Sequence, residues 1–347
     1  MKKIILVVDD DKANLLIAQK LLGEEYRVAA VNSGALALRY LEKNNPDLIL
    51  LDIQMPEMDG FEVMQCIQDN EEWKKVPVIF LTADRSEKTE EKCFIMGAVD
   101  YIGKPFVPAI MLQRIRKTLE LDDYRKNLEK MVEQQLQQIT RLQQDIIMTM
   151  ANLIESRDGT TGEHIRRTSV YTRFLIEQLQ KRGLYQEELT PGFVDYLCKA
   201  APLHDIGKIT VSDVILQKAG PLTEDEYNSI KLHAEAGRHL IRQNMGGIVN
   251  NEFIEVASDV AAYHHEMWNG QGYPEKLAGE QIPLAARILA IADVFDALIA
   301  KRPYKESMSS DEVLTIMEQK RGTHFEPMLL DVFLDAKDEL KELMELL

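Results

Sequence analysis

The amino-acid sequence predicts an α/β doubly wound five-stranded parallel sheet, followed by a long connecting helix and an all-α helical bundle. Three observations predict it. Short apolar runs alternate with helical patterns from Ile4 to Ile102, the segment from Ala109 to Asp158 contains neither glycine nor proline, and beyond Gly159 helical periodicity meets no competing strand alternation. A chain of 347 residues also exceeds one ordinary core, so two modules and a connector are expected, at 1–118, 151–347 and 119–150.

Composition narrows the function classes. A formal net charge of -16 argues against broad binding to nucleic acid or anionic membrane, because both need a basic face. An anionic substrate must then meet a metal or a local Arg/Lys patch. Cys66, Cys93 and Cys198 stand far apart without CxxC spacing, which suits buried free thiols in a reducing compartment. No apolar stretch reaches the length of a membrane span, and Met1-Lys2-Lys3-Ile4-Ile5-Leu6-Val7-Val8 runs into acids rather than a small-residue cleavage site. A cytoplasmic protein without nucleic-acid or membrane partners is expected.

In the first module, strands are expected at Ile4 to Val8, Arg27 to Val31, Leu48 to Leu51, Val76 to Leu81 and Val99 to Ile102, with crossover helices between them. The interrupting polar residues fall at strand ends: Asp9, Asp10 and Asp11 after the first, Asp52 after the third, Thr82 after the fourth and Lys104 after the fifth. That edge is where open parallel sheets bind ligands. Clustered carboxylates repel unless a cation sits among them, and hard oxygen donors suit Mg2+. Asp52 is then the nucleophile for a phosphoryl group, Lys104 and the metal neutralise the transferring oxygens, and the Thr82 hydroxyl reaches the product.

Leu6-Val7-Val8-Asp9-Asp10-Asp11, Leu51-Asp52-Ile53-Gln54-Met55-Pro56-Glu57-Met58-Asp59-Gly60, Leu81-Thr82-Ala83 and Tyr101-Ile102-Gly103-Lys104-Pro105-Phe106 closely resemble the receiver domain of two-component response regulators. The resemblance implies phosphorylation of Asp52 by a histidine kinase. It further implies Mg2+ held by Asp10, Asp52 and the Gln54 carbonyl with Asp9 in support, movement of Thr82 and Tyr101 on phosphorylation, and a cis Lys104-Pro105 bond.

The connector reads as one helix. Apolar residues recur in steps of three or four at Leu121, Tyr124, Leu128, Val132, Leu136, Ile139, Leu142, Ile146, Met150 and Leu153, a narrow seam for a partner helix with a stutter-like run of four-residue steps. A parallel homodimer is expected along it, with a helix that folds back onto its own domain as the alternative. At 1.5 Å per residue the helix could reach roughly 75 Å, so well-separated modules are expected.

In the second module, amphipathic stretches lie near Ile165 to Gln180, Pro191 to Lys208, Glu224 to Gln243, Phe253 to His265, Leu284 to Ala300 and Ser310 to Gln319. Ligand-type side chains sit on or at the ends of several of them: His164, His204, Asp205, His233, His264, His265 and Asp293. This is enough for two metals, and imidazole with carboxylate suits first-row ions, iron or manganese ahead of zinc. Asp205 could bridge both ions, leaving His233, His264 and His265 to complete one and His204 and Asp293 the other. Two ions at bridging distance make a hydroxide nucleophile for phosphate-ester hydrolysis, and Lys208 can stabilise the developing charge or protonate the leaving oxygen.

Arg157-Asp158, Thr161-Gly162-Glu163-His164, His204-Asp205-Ile206-Gly207-Lys208-Ile209, Lys231-Leu232-His233, His264-His265-Glu266 to Gly272-Tyr273-Pro274, and Ile282-Pro283-Leu284 through Asp293 and Asp296 to Arg302-Pro303-Tyr304-Lys305 resemble the HD-GYP family of cyclic di-GMP phosphodiesterases. The resemblance implies hydrolysis of cyclic di-GMP to pGpG, in some members onward to GMP, with Gly272, Tyr273, Arg302 and Lys305 at substrate. Two departures stand out. Family members with three metals carry Glu four residues before the first histidine, where this chain has Thr160, and Glu163 points elsewhere on a helix, so a binuclear centre is expected. Asn269 replaces the usual Asp of the glycine-rich loop, removing a charge but not hydrogen-bonding capacity. His239 and His324 are read as surface or core residues. The competing readings are a cyclic dinucleotide sensor with little turnover and a hydrolase of another cyclic dinucleotide, such as the mixed GMP-AMP species.

Overall fold

Apolar strands without polar interruption are stable only inside a sheet covered on both faces. The computed structural model, which describes residues 2–84, 86–158, 163–246, 249–300 and 308–347, forms that sheet. Strands β1 (Ile4–Val8), β2 (Arg27–Val31), β3 (Leu48–Asp52), β4 (Val78–Thr82) and β5 (Asp100–Gly103) are parallel in the order β2-β1-β3-β4-β5. Helices α1 (Lys12–Leu22), α2 (Gly34–Leu41), α3 (Gly60–Gln68) and α4 (Glu87–Ile95) cross between them. All five residues of β3 and of β4 are buried. Pairing of Val8 with Leu51 and of Asp52 with Leu81 brings the polar strand ends to one edge.

The fourth strand starts two residues later than the apolar run suggests. Pro77 has no N–H to give a ladder, and the Val76 N–H instead closes a short 3-10 turn on the Trp73 carbonyl at 2.9 Å. The fifth strand also begins one residue late, at Asp100.

Helix α5 runs from Pro108 to Glu155, and Ser156–Asp158 form a 3-10 turn. The chain divides into two compact units, Met1–Gln137 and Gln138–Leu347. The seam residues of α5 from Leu121 to Leu153 lie between 44% (Met150) and 70% (Tyr124) exposed.

The second unit is helical: α6 (Glu163–Lys181), α7 (Pro191–Ala200), α8 (Asp213–Leu216), α9 (Glu224–Asn244), α10 (Asn251–Tyr263), α11 (Leu284–Ile299), α12 (Ser310–Glu318), α13 (Pro327–Asp335) and α14 (Lys337–Glu345). Helix α11 is apolar nearly all round and therefore sits at the centre. Its Phe295 meets Tyr171 of α6 edge to face at 4.9 Å and Phe333 of α13 at 5.2 Å. The two last helices, α13 and α14, lie beyond the stretches that periodicity identified.

One expected element is divided. Instead of a single helix from Pro191 to Lys208, α7 ends at Ala200 and two 3-10 segments follow, Ala201–Leu203 and Ile206–Thr210. Pro202 lacks the N–H that a continuing helix needs, and the break turns His204 and Asp205 toward α9. Similarly, α10 stops at Tyr263, so His264 caps it and His265 lies past its end.

Candidate metal centre and phosphoacceptor pocket

Seven ligand-type side chains of the second unit converge from five places in the chain. Asp205, His233, His264 and His265 form one group and His164, His204 and Asp293 another, with the ligand atoms of each lying within 4.8 Å of one another. Asp205 stands between them. Its Oδ1 is 3.3 Å from His233 Nε2 and 3.8 Å from His264 Nε2, while its Oδ2 is 3.4 Å from His204 Nε2. Asp293 Oδ1 closes the second group, 3.4 Å from His164 Nε2 and 3.8 Å from His204 Nε2.

The imidazoles are oriented by what their other nitrogen meets. His204 Nδ1 lies 2.8 Å from the Ala201 carbonyl, His233 Nδ1 2.6 Å from that of Ile230 and His264 Nδ1 2.9 Å from that of Val260. A carbonyl only accepts, so each of these Nδ1 atoms carries a proton, and in the neutral rings of His233 and His264 Nε2 presents a lone pair to the cluster. Burial drives His264 far below the ordinary imidazole value, with His265 adding repulsion; burial likewise lowers His233 and takes His265 down to about 3. These rings are neutral near pH 7, the form that binds metal. Burial pulls His204 the other way from its carboxylate neighbours, but Asp205 and Asp293 win and raise it to about 9. Burial opposes ionisation of Asp205 as well, and the charges of Lys208 and His204 overcome it.

The donor set fits divalent first-row ions. His204 Nε2 and Asp205 Oδ1 are buried without a hydrogen-bond partner, a costly state for polar atoms that a cation between them would relieve. Lys208 extends its ammonium to Asp205 Oδ2 at 2.7 Å and so faces the cluster.

Several supports were not assigned from sequence. Buried Asp296 accepts from Arg167 Nε at 2.6 Å and lies 2.7 Å from His164 Nδ1. Its place three residues after Asp293, on the same face of α11, was the available signal. Arg157 donates to the carbonyls of Lys208, Ile209 and Val211 at 3.3, 3.1 and 3.0 Å, pinning the turn that follows Lys208. Buried Glu266 accepts from the Glu275 N–H at 2.8 Å and folds the glycine-rich loop over the histidine pair. A Cβ on Gly272 would stand 2.4 Å from Met267 N, so only glycine permits this approach. Tyr273 then lies against His265, ring centroids 4.7 Å apart.

The other expectations fall as follows. Arg302 and Lys305 lie outside the described residues, as does Thr160. Asn269 Oδ1 accepts from Gln271 N at 3.0 Å within its own turn. Glu163 faces Arg167 at 3.3 Å. His239 is exposed near Glu235. His324 is half-buried on Phe325, and burial takes it down to about 4.

In the first unit, Asp9, Asp10 and Asp52 gather at the sheet edge. Lys104 Nζ is 2.7 Å from both Asp9 Oδ2 and Asp52 Oδ2. Burial raises the Asp52 pKa against the opposing pull of Lys104. Asp9 Oδ1 accepts from Asp11 N and Asn14 Nδ2, which fixes its carboxylate, while Asp10 is exposed. The three carboxylates form an oxygen-only set of the kind Mg2+ takes. Gln54 lies beside them, exposed, in the loop after β3. The Thr82 hydroxyl donates to the Asp84 carbonyl at 2.8 Å, and the half-buried Tyr101 packs edge-on to Phe94. The Lys104-Pro105 bond is cis, and so is Tyr273-Pro274. Among the described residues no helix is long and apolar enough to cross a membrane.

Comparison with known proteins agrees with this division. The response regulator receiver domain model matches residues 5–116 and the HD domain model residues 148–329. A Vibrio cholerae serotype O1 protein named "Probable cyclic di-GMP phosphodiesterase" is 41% identical, the match covering 95% of this chain and 77% of that one. The "Cyclic di-GMP phosphodiesterase response regulator RpfG" of Xanthomonas campestris pv. campestris is 34% identical, over 98% of this chain and 89% of that one. A further Vibrio cholerae protein, "3'3'-cGAMP-specific phosphodiesterase 2", is 35% identical over 65% of this chain and 40% of its own length.

Proposed function

We propose that this chain, which belongs to the family of response regulators joining an N-terminal receiver to a C-terminal HD domain, hydrolyses cyclic di-GMP to pGpG at a binuclear metal site under control of phosphorylation at Asp52. The observation that carries the reading is Asp205, whose two oxygens face two separate histidine groups. A carboxylate so placed would be shared by two cations and supply an oxygen to each.

His233, His264 and His265 would hold one ion and His164, His204 and Asp293 the other, iron or manganese before zinc. Bound there, the pair supplies a water activated at neutral pH and positive charge for the phosphoryl oxygens. The protein's own groups do the rest. Asp205 and the carbonyl-anchored imidazoles fix the geometry, and Asp296 with Arg167 orients His164. Lys208 stands where it can neutralise charge on the reacting phosphate or give a proton to the leaving ribose oxygen. Arg302 and Lys305 would hold substrate phosphate or guanine, with Gly272 and Tyr273 shaping the wall beside His265.

At the receiver, a histidine kinase would phosphorylate Asp52, with Mg2+ held by Asp10, Asp52 and the Gln54 carbonyl, Asp9 and Lys104 in support, and Thr82 and Tyr101 responding. A homodimer paired along the exposed seam of α5 would carry the change to the HD domain. The acidic balance, with no helix among the described residues long and apolar enough to cross a membrane, favours a cytoplasmic enzyme.

The test is product analysis with anaerobically purified, metal-analysed protein, with and without acetyl phosphate, alongside His204→Ala/Asp205→Ala and Asp52→Asn. Accumulating pGpG, a dead double variant and an Asp52→Asn protein that still turns over but no longer responds to acetyl phosphate are expected. Intact cyclic di-GMP after iron and manganese reconstitution would sink the reading. The relative specific for cyclic GMP-AMP makes that nucleotide the second substrate to assay, and preferred cleavage of it would replace the guanine assignment.

A further inference from the structure

Most cations around the metal centre are already committed. Lys208 is paired with Asp205 at 2.7 Å, Arg167 with Asp296 at 2.6 Å, Arg238 with Glu275 at 2.9 Å and Arg287 with Glu326 at 2.5 Å. Lys231, on the half-buried flank of α9, has no carboxylate within 4 Å among the described residues, and its one polar contact is Asn228 Oδ1 at 3.4 Å.

Its ammonium lies over two aromatic rings instead, 4.4 Å from the centroid of Tyr227 and 5.7 Å from that of Tyr273. Tyr227 and Lys231 are one turn apart on α9, so they share a face. Lys231 points about 200° around the helix from His233, and its flexible stem brings the charge back toward the site. Tyr273 closes the gap, its ring 4.7 Å from His265 and 6.4 Å from His233. A continuous row therefore leads from the metal ligands through Tyr273 to Lys231 and the exposed face of Tyr227.

A cyclic dinucleotide carries a second phosphodiester and two purine faces besides the bond being cut. A chain of net charge -16 repels that second phosphate unless a cation is kept for it. We propose that Lys231 and Tyr227 form a subsite for the uncut half of the cyclic dinucleotide, the ammonium taking the second phosphodiester and the Tyr227 ring stacking a purine. Lys231 is thus a positioning residue, acting on affinity rather than on the bond that breaks. The proposal rests on the phosphodiesterase reading above and deepens it.

The experiment measures binding of the slowly cleaved bis-phosphorothioate analogue of cyclic di-GMP to the metal-loaded full chain, beside turnover of cyclic di-GMP. The variants are Lys231→Met, Lys231→Arg, Tyr227→Leu and Tyr227→Phe, with metal content and far-ultraviolet circular dichroism checking the fold. Lys231→Met should weaken binding about tenfold, the scale of one charge-assisted contact to phosphate, raise KM in step and leave a shallower dependence on salt. Lys231→Arg should recover most of the loss. Tyr227→Leu should cost about fivefold, while Tyr227→Phe, which keeps the ring face, should bind like the parent.

Parent-like binding by Lys231→Met, or an arginine variant no better than the methionine one, overturns the subsite while the hydrolase reading stands. A parent chain that binds the analogue through Lys231 but cleaves no cyclic di-GMP overturns the hydrolase reading and supports the subsite. A parent chain that binds no analogue overturns both.

Discussion

Adding one methyl group at Gly207 should damage both stability and metal binding, on a scale set by how closely the turn approaches α9. A Cβ there would lie 1.9 Å from the His233 carbonyl oxygen, 2.5 Å from Gly237 N and 2.8 Å from His233 C. Carbon and oxygen approach no closer than about 3.3 Å even in weak hydrogen bonds, so the turn must retreat from α9 by more than about 1 Å. All three clashing atoms are backbone, and α9 is anchored here by fully buried Ala234 and Ile241. Overpacking of this kind costs about 1 to 3 kcal/mol, and Gly207→Ala should reach the top of that range or pass it. The same retreat separates Asp205 from His233, now 3.3 Å apart, although a metal site tolerates only about 0.5 Å of displacement. Metal affinity should fall by about 100-fold.

Gly192→Ala makes the same chemical change near the start of α7, where the nearest atom is Tyr196 Cε2 at 3.9 Å. It should be neutral or gain about 0.5 kcal/mol. Thermal unfolding with chelator isolates the packing effect, and metal content after dialysis reports the site. A Gly207→Ala protein that melts with the parent and keeps its metal would refute the reasoning.

Asp296→Asn keeps the side-chain shape but removes the charge that holds His164 Nδ1 and Arg167, so metal affinity should drop about tenfold in a competition titration, and an unchanged value would dismiss the orienting role. Asp259 offers a test on α10: burial, with Glu255 adding repulsion, raises its pKa from 3.8 to about 6. The fold then disfavours the ionised form, so the cost is absent below the unfolded value, grows between pH 4 and 6 and is complete above. Asp259→Asn should accordingly stabilise the protein by about 1 kcal/mol in urea unfolding at pH 7.5 and by little near pH 4, and a pH-independent difference would count against it.

The receiver was legible because its chemistry falls at strand ends: Asp9, Asp52, Thr82 and Lys104 each interrupt an apolar run, and parallel order forces those ends to one edge. The strand starts were less legible where Pro77 overrode an apolar run. In the helical unit the ligand types were visible as residues, but what brings them together was not. Pro202 breaks the helix read as continuous, and a one-turn 3-10 segment, not helical spacing, aims Lys208 at Asp205. Contacts far apart in sequence, such as Arg157 with the Lys208 carbonyl or Arg167 with Asp296, leave no local periodicity to read. Asp296 itself was visible, but its burial and its link to His164 were not.

A metal count shows whether Asp205 would bridge two ions as proposed. Full-length protein purified anaerobically with iron should carry about two irons per chain, and Asp205→Ala should fall to one or fewer while keeping the parent's circular dichroism. A parent chain holding a single iron, or an Asp205→Ala protein that still holds two, would contradict the bridge.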